Sequence, residues 1–148
     1  MLNYTVNYTN IMKDSLGHSV QLRVRYSETD QMKVVYHGSY IPYFEISRVE
    51  WLRSKGISYK SLEDSGIALP IASMTINYKK SARYDDLLTV NTKLKSYSGV
   101  KVEFECEITN EAGELLTNAT FLLVFIDVNT GRPILPPAYI LEIIDKAI

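Results

Sequence analysis

The stretch from Gly38 to Gly56, GSYIPYFEISRVEWLRSKG, decides the architecture. It is too long, and too rich in Glu and Arg, for a strand. Gly56 is a C-terminal stop. Ser39 is placed to cap the helix. Pro42 falls in the first turn, where backbone N–H groups lack an intrahelical partner anyway. Apolar side chains run nearly all round it, at Tyr40, Ile41, Tyr43, Phe44, Ile46, Val49, Trp51 and Leu52. A helix apolar on most faces is a buried helix.

Working outward from it, the pattern changes to strands. On the N-terminal side Leu22, Val24 and Tyr26 alternate with Gln21, Arg23 and Arg25, as in a strand with one wet face. SETDQMK, residues 27–33, follows as a polar turn. Residues 1–19 are polar without a period and read as a loose arm. On the C-terminal side Ser58–Glu63 suits a short helix stopped at Gly66. Four strand candidates follow. They span Ala68–Tyr78, Leu87–Ser96, Val100–Thr109 and Leu115–Val128. In the first, Ala72, Met74, Ile76 and Tyr78 share a face. In the second, Leu88, Val90, Thr92 and Leu94 do. In the third, Val100, Val102, Phe104, Cys106 and Ile108 point in, and Lys101, Glu103, Glu105 and Glu107 point out. Leu115–Val128 is apolar on both faces around Phe121–Ile126, which suits a central strand or one meeting another subunit. Residues 138–148 suit a last helix.

One strand, a long buried helix and a run of antiparallel strands make a single α+β domain over residues 1–148. One helix cannot cover both faces of such a sheet. A homo-oligomer, dimer or tetramer, using an edge strand or the far face, is therefore expected.

Composition narrows the function. Apolar residues make up 46% and charged residues 22% of the 148, which is ordinary for a globular domain and excludes general disorder. No run approaches the ~18 apolar residues of a membrane helix. The first residues lack a secretory pattern, so a cytoplasmic protein is expected. One cysteine and two histidines argue against a disulfide, a zinc cluster or any metal site. Sixteen basic against seventeen acidic residues argue against nucleic-acid binding.

The chemistry-bearing stretch is Tyr26–Arg53, YSETDQMKVVYHGSYIPYFEISRVEWLR. It joins an acidic turn to a helix start. Free N–H groups there, with the helix dipole, can hold a developing oxyanion. A neighbouring carboxylate can act as nucleophile or general base. Acids before helices are also common for purely structural reasons, and these ingredients alone do not choose.

The same stretch resembles the signature of hotdog-fold acyl-CoA thioesterases of the 4-hydroxybenzoyl-CoA thioesterase type, including the short-chain enzymes associated with the Tol–Pal system. The matching residues are Tyr26, Glu28-Thr29-Asp30, Val34-Val35-Tyr36-His37-Gly38, Tyr40, Phe44-Glu45 and Arg48. The resemblance continues through INYKKSARYDDLLTV, Ile76–Val90, and covers about residues 21–135. It implies a hotdog fold, an antiparallel sheet wrapped round one long helix. It also implies hydrolysis of an acyl-CoA to free acid and coenzyme A, with no cofactor beyond the coenzyme A of the substrate.

Residue by residue, the resemblance places the catalytic carboxylate at Asp30, as nucleophile or general base. It places the carbonyl-polarising donor at the backbone N–H of His37, and substrate contacts at Tyr36, Gly38 and Tyr40. Glu45 is a helper at most, because an ion pair with Arg48 on the same helix face explains it equally well. Glu28 reads as a solvated turn acid. Lys79, Lys80 and Arg83 could hold coenzyme A phosphates, or form a solvated turn balanced by Asp85 and Asp86. Cys106 reads as core.

Two positions depart from the family pattern. Lys33 stands where glycine is usual; if that glycine serves a positive φ, lysine bears a backbone penalty. Ser81 stands where proline is common. The rival readings are a non-catalytic acyl-CoA sensor or scaffold, and a hydratase-like enzyme of the same fold.

Overall fold

The computed structural model describes residues 17–147. Strand β1 spans Gly17–Arg23. A 3-10 turn at Tyr26–Glu28 follows, and a second at His37–Ser39 runs straight into helix α1, Tyr40–Ser54. Next come α2 (Tyr59–Asp64), β2 (Ile67–Ala68), β3 (Ile71–Tyr78), β4 (Leu87–Ser98), β5 (Lys101–Thr109), β6 (Leu115–Val124), β7 (Ile126–Asp127) and α3 (Ala138–Ala147). The main sheet has the order β1-β4-β5-β6-β3, and every pair in it is antiparallel. Strands β2 and β7 form a separate two-stranded ribbon.

Helix α1 lies across the inner face of this sheet. Its buried residues, Tyr40, Tyr43, Phe44, Ser47, Arg48, Trp51 and Leu52, recur at three- and four-residue steps and form one stripe. Phe44 meets Phe121 of β6 at a ring separation of 5.3 Å, and Trp51 meets Phe104 of β5 edge-on at 4.9 Å. The sheet supplies Leu88, Val90 and Leu94 from β4, and Val102, Phe104, Cys106 and Ile108 from β5, all buried. Each large side chain so buried contributes roughly 1.5–3 kcal/mol. Helix α3 covers the far end, where Ile140 and Ile144 join Trp51, Leu52 and Phe104.

The structure corrects several expectations. Residues 17–19, read as arm, belong to β1, where Val20 is fully buried; residues 1–16 lie outside the described residues. The strand stops at Arg23, and Tyr26 turns outward in the 3-10 turn. The helix is buried on one stripe only: Pro42 and Glu45 are exposed, and Ile41, Ile46 and Val49 are half-buried. Ser39 already has helical dihedral angles and its side chain makes no cap hydrogen bond, because the preceding 3-10 turn supplies the entry. Gly56, with φ of 87°, does end the helix. The expected strand 68–78 is split at Pro70, and the expected strand 115–128 is split at Phe125. Both short pieces peel away from the main sheet to pair as β2 and β7.

Candidate active site

The acidic turn is built as a small hairpin. Tyr36 N donates to Glu28 O at 2.9 Å and Asp30 N donates to Val34 O at 3.0 Å, with Thr29 and Val35 bridged between them. Lys33 N closes the tip on Asp30 O at 2.9 Å. Closing it in this way puts Lys33 at φ 62°, the left-handed region that favours glycine. The Asp30 carboxylate is half-buried. Its Oδ1 accepts from Met32 N at 2.8 Å, an Asx-type turn that fixes the side chain. Its Oδ2 accepts no hydrogen bond among the described residues and is left for chemistry.

The hairpin delivers the chain directly into the second 3-10 turn. That turn is closed by Ser39 N donating to Tyr36 O at 2.8 Å, so the N–H groups of His37 and Gly38 precede its first hydrogen bond. They form the positive end of the 3-10 turn and of α1 behind it. The His37 carbonyl is held from the other side by the Tyr78 hydroxyl, which donates to it at 3.0 Å. Tyr36 lays its ring over Gly38. A Cβ on Gly38 would sit 2.7 Å from Tyr36 Cε1, so glycine permits this contact.

Asp30 and His37 line one depression of about 280 Å³, with Met32, Val34, Val35, Tyr40, Tyr78, Lys79, Lys80 and Ser81. Tyr40 and Tyr78 meet edge-on at 5.6 Å and make its aromatic wall. The buried Tyr40 hydroxyl accepts from Ala82 N at 3.1 Å. Burial raises the Tyr40 phenol above its ordinary range, so it stays neutral near pH 7. A larger depression of about 480 Å³ lies on the outer face of the sheet, lined by Ser19, Asn91, Lys93, Glu105 and others. It holds none of the motif residues.

The remaining sequence candidates fall as follows. Tyr36 and Gly38 flank His37 in the chain and touch each other, but they are not among the residues that line the depression. Of the cations, Lys79 and Lys80 line it, but Lys80 Nζ is paired with Glu114. Arg83 stands behind the turn tip, with Nη1 3.5 Å from Lys33 O. Glu45 stands apart on the outer side of α1, its side chain 62% exposed and 3.9 Å from Arg48. Glu28 contradicts its reading as a solvated acid: it is only 9% exposed. Its Oε1 accepts from Arg25 N at 2.7 Å and its Oε2 pairs with Arg25 Nη2 at 2.9 Å.

Met32 and Tyr78 line the depression without having been singled out as site residues. For Tyr78 the available signal is its place at the end of a strand, directly before the Lys79–Lys80 pair. Met32 carries no signal beyond its place in the acidic turn.

Comparison with known proteins gives the family. Residues 24–144 match the model of the thioesterase-like superfamily. The chain is 35% identical over 114 residues to a putative acyl-CoA thioesterase, YneP, of Bacillus subtilis, covering 77% of this chain and 83% of that protein. It is 35% identical over 122 residues to the acyl-CoA thioester hydrolase YbgC of Escherichia coli, covering 82% of this chain and 91% of that one. The crystal structure of a DHNA-CoA thioesterase from Staphylococcus aureus superposes with a TM-score of 0.82 at 35% identity, over 88% of this chain and 87% of that one. The sheet and helix described above are thus those of a hotdog fold, and the chain belongs to the thioesterase-like superfamily.

Proposed function

We propose that the protein hydrolyses acyl-CoA thioesters to a free acid and coenzyme A. The observation that carries this reading is one depression, beside the start of α1, that is lined by both Asp30 and His37. The thioester carbonyl oxygen accepts from His37 N–H, where the helix dipole favours the charge that develops on it. Asp30 either attacks the carbonyl carbon, giving an acyl-enzyme anhydride that water then opens, or removes a proton from an attacking water. In both routes a C–O bond forms, the C–S bond breaks, and the thiolate leaves and takes up a proton. Lys79, at the rim, meets the coenzyme A phosphates. Lys80 contributes less, because Glu114 already neutralises it. The chemistry uses no metal and no cofactor apart from the substrate's own coenzyme A. We assign it to the cytoplasm, in keeping with a single unpaired cysteine.

The same reading includes a homodimer. Two features support it: β3 is a free sheet edge, and α1 presents the apolar stripe Pro42, Ile46 and Val49 away from its own core. The aromatic wall contains Tyr78, the last residue of β3, so a partner paired along β3 would border the depression.

The test is free-thiol release from short, long and aromatic acyl-CoAs by wild type and Asp30→Ala. Wild type should release thiol from at least one class, and Asp30→Ala should lose about a hundredfold or more. A folded Asp30→Ala that keeps most of its activity removes Asp30 from the mechanism. Tight stoichiometric binding of acyl-CoA without turnover would instead make the protein a sensor. No helix among the described residues is long and apolar enough to cross a membrane.

A further inference from the structure

Glu28 is an acid of the motif that the proposed mechanism leaves without a task, and its surroundings assign it one. A carboxylate in a polar turn is expected in water, yet this one is 9% exposed. Removing a charge from water is costly unless the protein replaces its hydrogen bonds. Here both oxygens are used: Oε1 takes the Arg25 amide and Oε2 takes the Arg25 guanidinium. The buried Tyr43 hydroxyl of α1 faces the same carboxylate. Burial first, and the Glu28 charge second, hold that phenol well above its ordinary range, so it stays protonated beside the carboxylate.

Through its side chain Glu28 is thus tied to Arg25, two residues past the end of β1; the Tyr43 hydroxyl of α1 lies near it without a hydrogen bond. Through its main chain it is tied to the two chemical groups. Its carbonyl accepts from Tyr36 N at 2.9 Å, one residue before His37, and Asp30 lies two residues further along the same hairpin. Within the hairpin the two arms are joined by the Glu28–Tyr36 and Asp30–Val34 hydrogen bonds and the Lys33 tip. From outside, Val35 N donates to Ala82 O at 2.8 Å and the Tyr78 hydroxyl donates to His37 O at 3.0 Å, both on the second arm. The tip is in a conformation unfavourable for lysine. Without a side-chain anchor on the first arm, the one that carries Asp30, the spacing between the Asp30 carboxylate and the His37 N–H would be less firmly set. Catalysis by two such groups tolerates misplacement of roughly 0.5 Å.

We infer that Glu28 is a positioning residue, a buried strut that ties the Asp30 arm of the hairpin to Arg25, just past β1, and so sets Asp30 relative to the His37 N–H. This rests on the thioesterase reading for its kinetic consequences but not for its mechanical ones. Glu28 touches no substrate and transfers no proton.

The test compares Glu28→Gln with wild type, each alone and in an Asp30→Asn background. Glu28→Gln keeps the size of the side chain and an oxygen for the Arg25 amide, but it turns the guanidinium arm from attraction to a clash of donors. The expected result is a kcat lowered about tenfold with KM within twofold. In the Asp30→Asn background the same change should have no further effect, because it acts through the missing group. Amide hydrogen exchange at residues 34–38 should rise about tenfold, while that of β4 and β5 stays put. Unchanged kcat and unchanged exchange would overturn the strut, as would a loss that is fully additive with Asp30→Asn. Should wild type be silent on every acyl-CoA, the thioesterase reading fails, and exchange at residues 34–38 alone decides for or against the strut. Should Glu28→Gln fold poorly, Arg25→Leu, which removes the guanidinium arm and keeps the backbone amide arm, is the second variant. It should raise exchange at residues 34–38, and no change there would count against the anchor on Arg25.

Discussion

Lys33 holds φ at 62°, and no side-chain contact to it offsets the cost of that conformation for an L-residue. The penalty is ~1–2 kcal/mol, and glycine escapes it, although glycine also gives back some stability through a freer unfolded chain. Lys33→Gly is therefore expected to stabilise the protein by about 1 kcal/mol, a rise of roughly 2–4 °C in Tm for a chain of this length. A thermal melt reads it directly; a lower Tm would mean that the lysine side chain carries a stabilising contact. This departure could be read before the fold was known, because a motif aligned on Asp30 and His37 puts Lys33 at the tip of the turn. Asp30 and His37 were legible on the same ground, through the order of residues between Tyr26 and Arg48. The burial of Glu28 was not. Acid, threonine, acid in a polar run looks solvated, and only the pairing of residue 28 with residue 36 carries the first acid inward.

At the scale of elements, β4 and β5 were legible because one face of each meets α1 and the other meets water, so alternation reports burial. Strand β3 was not. It sits at the sheet edge beyond the cover of α1, and Met74 and Tyr78 are both exposed although they alternate like core residues. Between α1 and the sheet lies a buried polar seam. Ser47 Oγ bonds Thr92 Oγ1, and Thr92 Oγ1 lies 3.3 Å from Cys106 Sγ. Burial pushes the Cys106 thiol from 9.0 up to about 11. The thiol is neutral in the folded protein where the unfolded chain already carries a thiolate, so the unfolded state binds fewer protons. This contribution to stability is complete below pH 9 and is lost as pH rises from 9 to about 11. Urea midpoints should fall across that window, and Cys106→Ala should flatten the first part of the fall. An equal slope in Cys106→Ala would assign the loss to the buried tyrosines Tyr40 and Tyr43, whose phenols are raised in the same direction. Native Cys106 should also resist thiol reagents at pH 8 until denaturant is added.

At the scale of the molecule, the sheet has two edges with different chemistry. β1 carries His18, Gln21 and Arg23, the kind of polar and charged side chains that discourage pairing with another chain. The eight residues of β3, IASMTINY, include no charge and no proline. A long edge without such guards either aggregates or is covered, and an antiparallel pairing of β3 with its own copy covers it symmetrically. The outer stripe of α1 points to the same partner, since Ile46 and Val49 are apolar and only half-buried in one chain. Ile46→Asp places a charge in that stripe without touching the core face of the helix. It is expected to give a monomer by sedimentation, with far-UV circular dichroism retained. Thiol release should fall with the dimer, because Tyr78 at the end of β3 both anchors the His37 carbonyl and walls the depression. Wild type sedimenting as a monomer at micromolar concentration, with full turnover, would remove the dimer from the mechanism and leave the β3 edge needing a different cover. A monomeric Ile46→Asp that keeps its activity would separate the two roles of β3, showing that Tyr78 holds the site from within its own chain.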